Sequence, residues 1–250
     1  MKNAPHPLAR PAGLPSTTDP AAPRHGRAPL LPYLPTNLRR RLLQAALAGP
    51  ALPWWHGAWA QASASRVVEL RGDVRRNGQA LTAQGSVAAG DRIDTGPGAS
   101  AVFTVGDSAY LVRENTRLEL QGETPLTVRV LRLLSGAVAS VWSKGADRQL
   151  VTPTLTAGIR GTGVYAEVWA QQDFRSYFCN CYGSVDLNAG GEQLRSESEY
   201  HQSFWAEAHP KEGRRLLPAE AINHTDEEME MLAALVQQRT AWQITGRKGS

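Results

Sequence analysis

Cysteine is the scarcest residue type here: 250 residues hold two, with three methionines and four phenylalanines. The two cysteines lie two positions apart, at Cys179 and Cys181. A disulfide framework of the kind that staples small secreted domains is therefore excluded. Long apolar runs are also missing. The stretch Ala45–Trp59 is interrupted by Pro50, Pro53 and His56 and falls short of the ~20 residues that a membrane-spanning helix needs. No transmembrane span is expected in the mature chain. Compact catalytic signatures are absent too: there is no G-x-S-x-G elbow, no H-E-x-x-H and no C-x-x-C. The run G-I-R-G-T-G at Gly158–Gly163 lacks the Lys-Ser/Thr pair of a phosphate loop. The expectation is a protein that is not an enzyme.

The formal charge of +4 invites a nucleic-acid reading, and its distribution removes it. Residues 1–62 hold seven Lys/Arg and one acid, Asp19. The rest carries 20 basic and 22 acidic side chains, a net of about −2, so the folded part has no basic footprint. Residues 1–36 are Pro- and Ala-rich without a hydrophobic period and are expected to be disordered. Residues 37–62 have the layout of a secretion signal: Arg39, Arg40 and Arg41, then a weakly apolar Ala/Leu run, then Ala60-Gln61-Ala62 as an A-x-A end. Consecutive arginines before Leu-Leu resemble a twin-arginine signal, with the general secretory route as the alternative. The expected location is the periplasm or another exported compartment.

From Ser65 the pattern changes to short strands with turns every eight to twelve residues, the spacing of an all-β sandwich, barrel or roll. Ala99–Val105 alternates as a half-buried strand, Leu118 and Leu120 point inward, and Val128, Val130 and Leu133 are expected inward with Arg129 and Arg132 outward. A β domain is expected over 65–190 and a C-terminal extension over 191–250. Within that extension, Ser196–His209 takes no clear assignment. Thr225-Asp226-Glu227-Glu228 opens one α-helix over about 226–239, with acids in the first turn and an apolar face from Met229 to Val236.

Several pieces resemble the FecR domain in the expected order. They are Gly72-Asp73-Val74, Gly90-Asp91-Arg92-Ile93-Asp94-Thr95-Gly96, Leu134-Ser135-Gly136-Ala137-Val138, then Thr152-Pro153 and Ile159-Arg160-Gly161-Thr162. The resemblance covers about Val67–Asn188. It implies a mostly β, antiparallel sandwich or roll of many short strands, extracytoplasmic and tied to envelope sensing and signalling through a protein partner or envelope ligand. Membrane regulators of that family carry an anti-sigma segment and a spanning helix before this domain. A secretion leader stands there instead, which argues against direct sigma-factor control. Thr152, Pro153, Arg160, Gly161 and Thr162 are the signature positions, with Arg160 expected as a satisfied core arginine at a β-bend.

In a strand, Cys179 and Cys181 share one face. Three states remain open for them: free buried thiols, a strained local disulfide, or a metal site. His201, His209 and His224 follow within 45 residues and are the imidazoles that would complete a zinc or copper site. Trp142, Trp169, Trp205 and Trp242 are expected to plug core or edge rather than to stack on a ligand.

The exported form should begin near Ser63, as N-terminal sequencing reads directly. Replacing Arg39, Arg40 and Arg41 by Lys should block export through the twin-arginine route. Unchanged export of that variant assigns the general route, and a full-length cytosolic product contradicts export altogether.

Overall fold

β-Branched and aromatic residues between Gly- and Asn-rich turns build fifteen strands in residues 65–248, the part that the computed structural model describes. The leader expectations, including Arg39, Arg40, Arg41, Ala60 and Ala62, lie outside these residues. The first seven strands are β1 (Arg66–Arg71), β2 (Val74–Arg76), β3 (Gln79–Ala80), β4 (Arg92–Thr95), β5 (Ser100–Val105), β6 (Ser108–Val112) and β7 (Arg117–Gln121). Next come β8 (Val130–Trp142), β9 (Arg148–Val151), β10 (Thr156–Ile159), β11 (Gly163–Trp169) and β12 (Arg175–Ala189). The last are β13 (Glu192–Ser198), β14 (Gln202–Lys211) and β15 (Arg214–Ala219).

Two sheets share the two longest strands. In sheet A, β1, β5, β6, β8, β11, β12, β14 and β15 pair in that order, all antiparallel. In sheet B the order is β3, β2, β4, β7, β8, β9, β10, β12, β13, with β8–β9 parallel. Strand β8 serves sheet B up to Ser135 and sheet A from Gly136. Strand β12 serves sheet A up to Tyr182 and sheet B from Gly183. Gly136 and Gly183 sit at these corners, the second with φ of 101°. A Cβ at Gly183 would stand 2.6 Å from Thr162 Cβ, so the corner admits only glycine without rebuilding.

The inner faces of the sheets enclose one core, with Phe103, Tyr110, Trp142 and Phe178 facing Leu118, Leu131, Leu133 and Ile159. A second core covers the outer face of sheet A: Ala109, Ala139, Val141, Tyr165, Tyr177, Cys179 and Cys181 pack against Met229, Leu232, Ala233 and Trp242. This doubly covered sheet explains why β5 and β6 are buried almost residue by residue, where the sequence suggested a half-buried alternation for β5.

The cover comprises α1 (Asp226–Leu235) and α2 (Ala241–Thr245). Thr225 and Glu228 close a capping box at the start of α1. The helix ends four residues before the expected 239, because Gln237 turns left-handed (φ 57°) and Thr240 with Gln243 caps a new helix. Three further expectations are corrected. Strand pairing does not stop at 190: β13, β14 and β15 extend both sheets, and they take up most of the unassigned Ser196–His209. Val128 and Leu133 are buried as expected, but Val130 is only half-buried and Leu131 faces the core instead, Leu131 and Leu133 pairing with Leu120 and Leu118. Val128 lies ahead of β8, outside the strand's alternation, so its inward face does not carry over to Val130 two residues on. Arg160 is not a core arginine. Its guanidinium is exposed and pairs with Asp186 at 3.1 Å.

Gly161 turns the chain between β10 and β11 at φ 65°, with Lys144 Cα 2.7 Å from where a Cβ would sit. Gly161→Ala should therefore lower stability by more than ~1 kcal/mol, whereas Arg160→Ala should cost no more than about 1 kcal/mol, the range of an exposed ion pair. Denaturant melts of both variants check this. The opposite ranking contradicts the corner.

Candidate metal centre

Strand β12 carries Cys179 and Cys181 on the outer face of sheet A. Asn180 between them points the other way, donating to Ser196 Oγ at 3.0 Å and accepting from Thr162 at 3.2 Å. Both thiols are fully buried under the cover. His201 lies in the turn from β13 to β14, where its backbone N–H donates to Cys181 O at 3.0 Å. Its φ of 34° is a costly conformation for a non-glycine residue, and such outliers gather where geometry is functionally constrained. His224 immediately precedes the α1 cap and follows another left-handed residue, Asn223 (φ 59°).

These four side chains converge. Cys179 Sγ stands 3.7 Å from Cys181 Sγ and 3.5 Å from His201 Nδ1. Cys181 Sγ is 3.4 Å from His224 Nε2, and the two inward ring nitrogens are 3.0 Å apart. All four donor atoms lie within 4.8 Å of one another. Around a tetrahedral zinc, with bonds of about 2.3 Å to sulfur and about 2.0–2.1 Å to nitrogen, two sulfurs stand about 3.8 Å apart, sulfur and nitrogen about 3.6 Å, and two nitrogens about 3.3 Å. Four of the six edges follow these spacings to within about 0.3 Å, in the right order, and the two remaining sulfur–nitrogen edges, Cys179–His224 and Cys181–His201, are no longer than 4.8 Å.

The outward nitrogens are also fixed. His224 Nδ1–H donates to Ile222 O at 2.6 Å, which leaves Nε2 as the inward lone pair. His201 Nε2 meets Asp226 Oδ1 at 2.9 Å, a carboxylate–histidine pair of the kind that orients metal-ligating imidazoles. Tyr200 and Lys248 also donate to Asp226, each at 3.2 Å. Tyr165 stacks on His224 at 4.7 Å and Trp242 on His201 at 5.3 Å, so neither ring is free to swing.

The protonation pattern follows from crowding two acids and two bases. Burial alone would raise the Cys179 thiol, but its contacts with Cys181, His201 and His224 outweigh that and hold it well below its ordinary value. Cys181 is pushed well above it, by burial first and then by the neighbouring Cys179. Burial opposes a charge on His201, yet its bonds to Cys179 and Asp226 raise its pKa. Asp226 is lowered against the pull of burial, by His201, Lys248 and Tyr200. The pair therefore titrates as a unit, one thiolate appearing long before the other. A divalent cation at the centre is the charge that would stabilise both.

Of the sequence candidates, Cys179, Cys181, His201 and His224 meet here. His209 does not: it is exposed on β14, beside the shallow surface formed by Arg175 and Lys211. The signature residues lie elsewhere and hold the frame. Buried Thr152 accepts from Leu155 N at 2.9 Å and bonds Ser176 at 2.7 Å in the β9–β10 turn, with Pro153 exposed beside it. Thr162 is buried at the β10–β11 corner and donates to Tyr182 O, one residue from Cys181. Sequence reasoning missed Asp226 and Tyr165. Asp226 was legible only as a helix-opening acid, and nothing local ties it to a histidine 25 residues earlier.

No protein-family profile matches the chain, and no curated protein sequence does. Two crystal structures of a proposed anti-sigma factor from Parabacteroides distasonis are similar to it, each at 13% identity with a TM-score of 0.43. The match covers 51% of this chain and 58% of that one, so the chain spans little more than half the length of that protein.

Asp226→Asn keeps the shape of the residue and weakens its hold on His201. It should lower zinc affinity about 10- to 100-fold, measured by competition with a chromophoric chelator. Unaltered affinity contradicts a role for Asp226 in positioning the imidazole.

Proposed function

We propose that this chain is an exported, non-catalytic β module of the FecR kind, working in envelope sensing or as a binding scaffold, and that Cys179, Cys181, His201 and His224 bind one soft divalent ion, zinc, within it. The observation that carries the metal reading is the convergence of two thiols and two imidazole nitrogens within 4.8 Å of one another, with four of their six separations near those of a tetrahedral S2N2 site. The donor chemistry agrees: thiolate and imidazole select zinc or copper over hard cations, and two thiolates balance a charge of +2. Four protein donors saturate zinc, the arrangement of a structural rather than a catalytic site. That supports the non-enzymatic reading. The signalling role and the export rest on the motif resemblance and the leader.

The ion would join three separate pieces of chain: strand β12, the β13–β14 turn and the loop ahead of α1. Its work is then to fasten the helical cover to sheet A, since binding energy available only to the folded state is folding energy.

The purified exported protein should hold one zinc per chain by elemental analysis. Cys179→Ser, Cys181→Ser, His201→Ala and His224→Ala should each lose it, while His209→Ala keeps it. Chelation should lower the melting temperature. A wild-type protein without metal, its two thiols free and unreactive until unfolded, contradicts the metal reading and leaves the binding module alone.

A further inference from the structure

A cleft of about 710 Å³ opens on the outer face of sheet A, beside the part that the helices cover. Its floor is the bend of β8 at Gly136-Ala137, and one side is the outward row of β11, where Glu167 and Trp169 continue from Tyr165. Arg113, Asn115 and Asn223 also line it. The volume falls within the range of small-ligand sites.

The lining selects the ligand. Trp169 is half-exposed and lines the cleft, unlike the buried Trp142 and Trp242, and its ring is braced by an edge contact with Trp205 at 4.9 Å. Around it are groups that donate and accept: the amides of Asn115 and Asn223, and Glu167, whose Oε2 takes bonds from Tyr165 (3.0 Å) and Asn223 (2.9 Å). That carboxylate is held in place with Oε1 left over. An extended peptide is a poor fit, because β8 and β11 are each paired on both sides and offer no free edge for its backbone. An anion would meet Glu167 and would find the Arg113 guanidinium already taken by Glu228 at 2.9 Å. A neutral molecule with an apolar C–H face and hydroxyls that both donate and accept answers all of these features.

The cleft and the metal centre share parts. Asn223 adjoins the ligand His224, and its carbonyl accepts from Arg113 at 2.8 Å. Tyr165 stacks on the His224 ring while its hydroxyl donates to Glu167. Fixing His224 fixes one wall of the cleft and the carboxylate within it.

We propose that this cleft is a saccharide-binding site, with Trp169 as the stacking platform and Glu167 and Asn223 as hydroxyl partners, and that occupancy of the metal centre sets its affinity. The second half rests on the metal reading; the first does not.

The test is calorimetric titration of the full chain, zinc-loaded, with chitotriose, cellotriose and maltotriose. At least one trisaccharide should bind with a Kd of about 1 mM or tighter. Trp169→Ala and the isosteric Glu167→Gln should each weaken it at least about tenfold, and zinc removal should do the same. The site is overturned if none of the three binds at about 10 mM, or if both variants bind as the wild type does. Equal affinity with and without zinc overturns the coupling alone. A chain that never holds zinc yet binds sugar through Trp169 and Glu167 supports the cleft while contradicting the centre, so the two failures are distinct.

Discussion

The central part of sheet A is covered on both faces. One side closes the sandwich core and the other carries Tyr165, Tyr177, Cys179, Cys181 and Tyr182, a surface too apolar to leave in water. What covers it is a ten-residue helix and a five-residue one. Helices of that length are unstable alone in water, because nucleation costs more than a few hydrogen bonds return. Their order depends on what they pack against: Met229, Leu232 and Ala233 supply apolar contact, and Trp242 adds ring contacts to Tyr182, Tyr200 and His201. The two thiols and two imidazoles stand where the cover meets the sheet. An ion bound there would tie the cover to the sheet.

Buried polar groups must be accounted for. Every ring nitrogen of His201 and His224 has a partner, outward through Asp226 and the Ile222 carbonyl and inward through the sulfurs and each other. Two mutually facing imidazole nitrogens and two touching sulfurs are poor hydrogen-bond partners in the absence of a shared cation, since thiols are weak donors and acceptors. They are good ligands. The same loops that aim the histidines also shape the neighbouring cleft, through Asn223 and the Tyr165 ring. Site and cleft are two outcomes of one constraint, the need to pin an irregular C-terminal segment onto a flat sheet.

The sequence was legible where chemistry is local. Strand after strand followed from alternation and turn residues, the start of α1 followed from the acids of its first turn beside Thr225, and the shared face of Cys179 and Cys181 followed from the two-residue period. It was illegible where the answer depends on distant pieces. The cover over the sheet could not be read from a strand such as β5 that looks half-buried. Arg160 looked like core because it lies among glycines and β-branched residues, yet a corner throws it outward to Asp186. His209 and His201 were indistinguishable as letters. The left-handed turn that presents His201, and the carboxylate that holds it, arise only when β13, β14 and α1 come together. The capping box at Thr240 and Gln243 was present in the sequence and went unread, because the apolar period that marked a helix ended at Val236.

The measurement that addresses the central claim most directly is X-ray absorption at the zinc edge of the full-length chain loaded with one equivalent. The account predicts a four-coordinate ion with two sulfurs at about 2.3 Å and two imidazole nitrogens at about 2.0–2.1 Å. A shell of oxygen and nitrogen donors without sulfur, or a chain that fails to retain the ion, would contradict it.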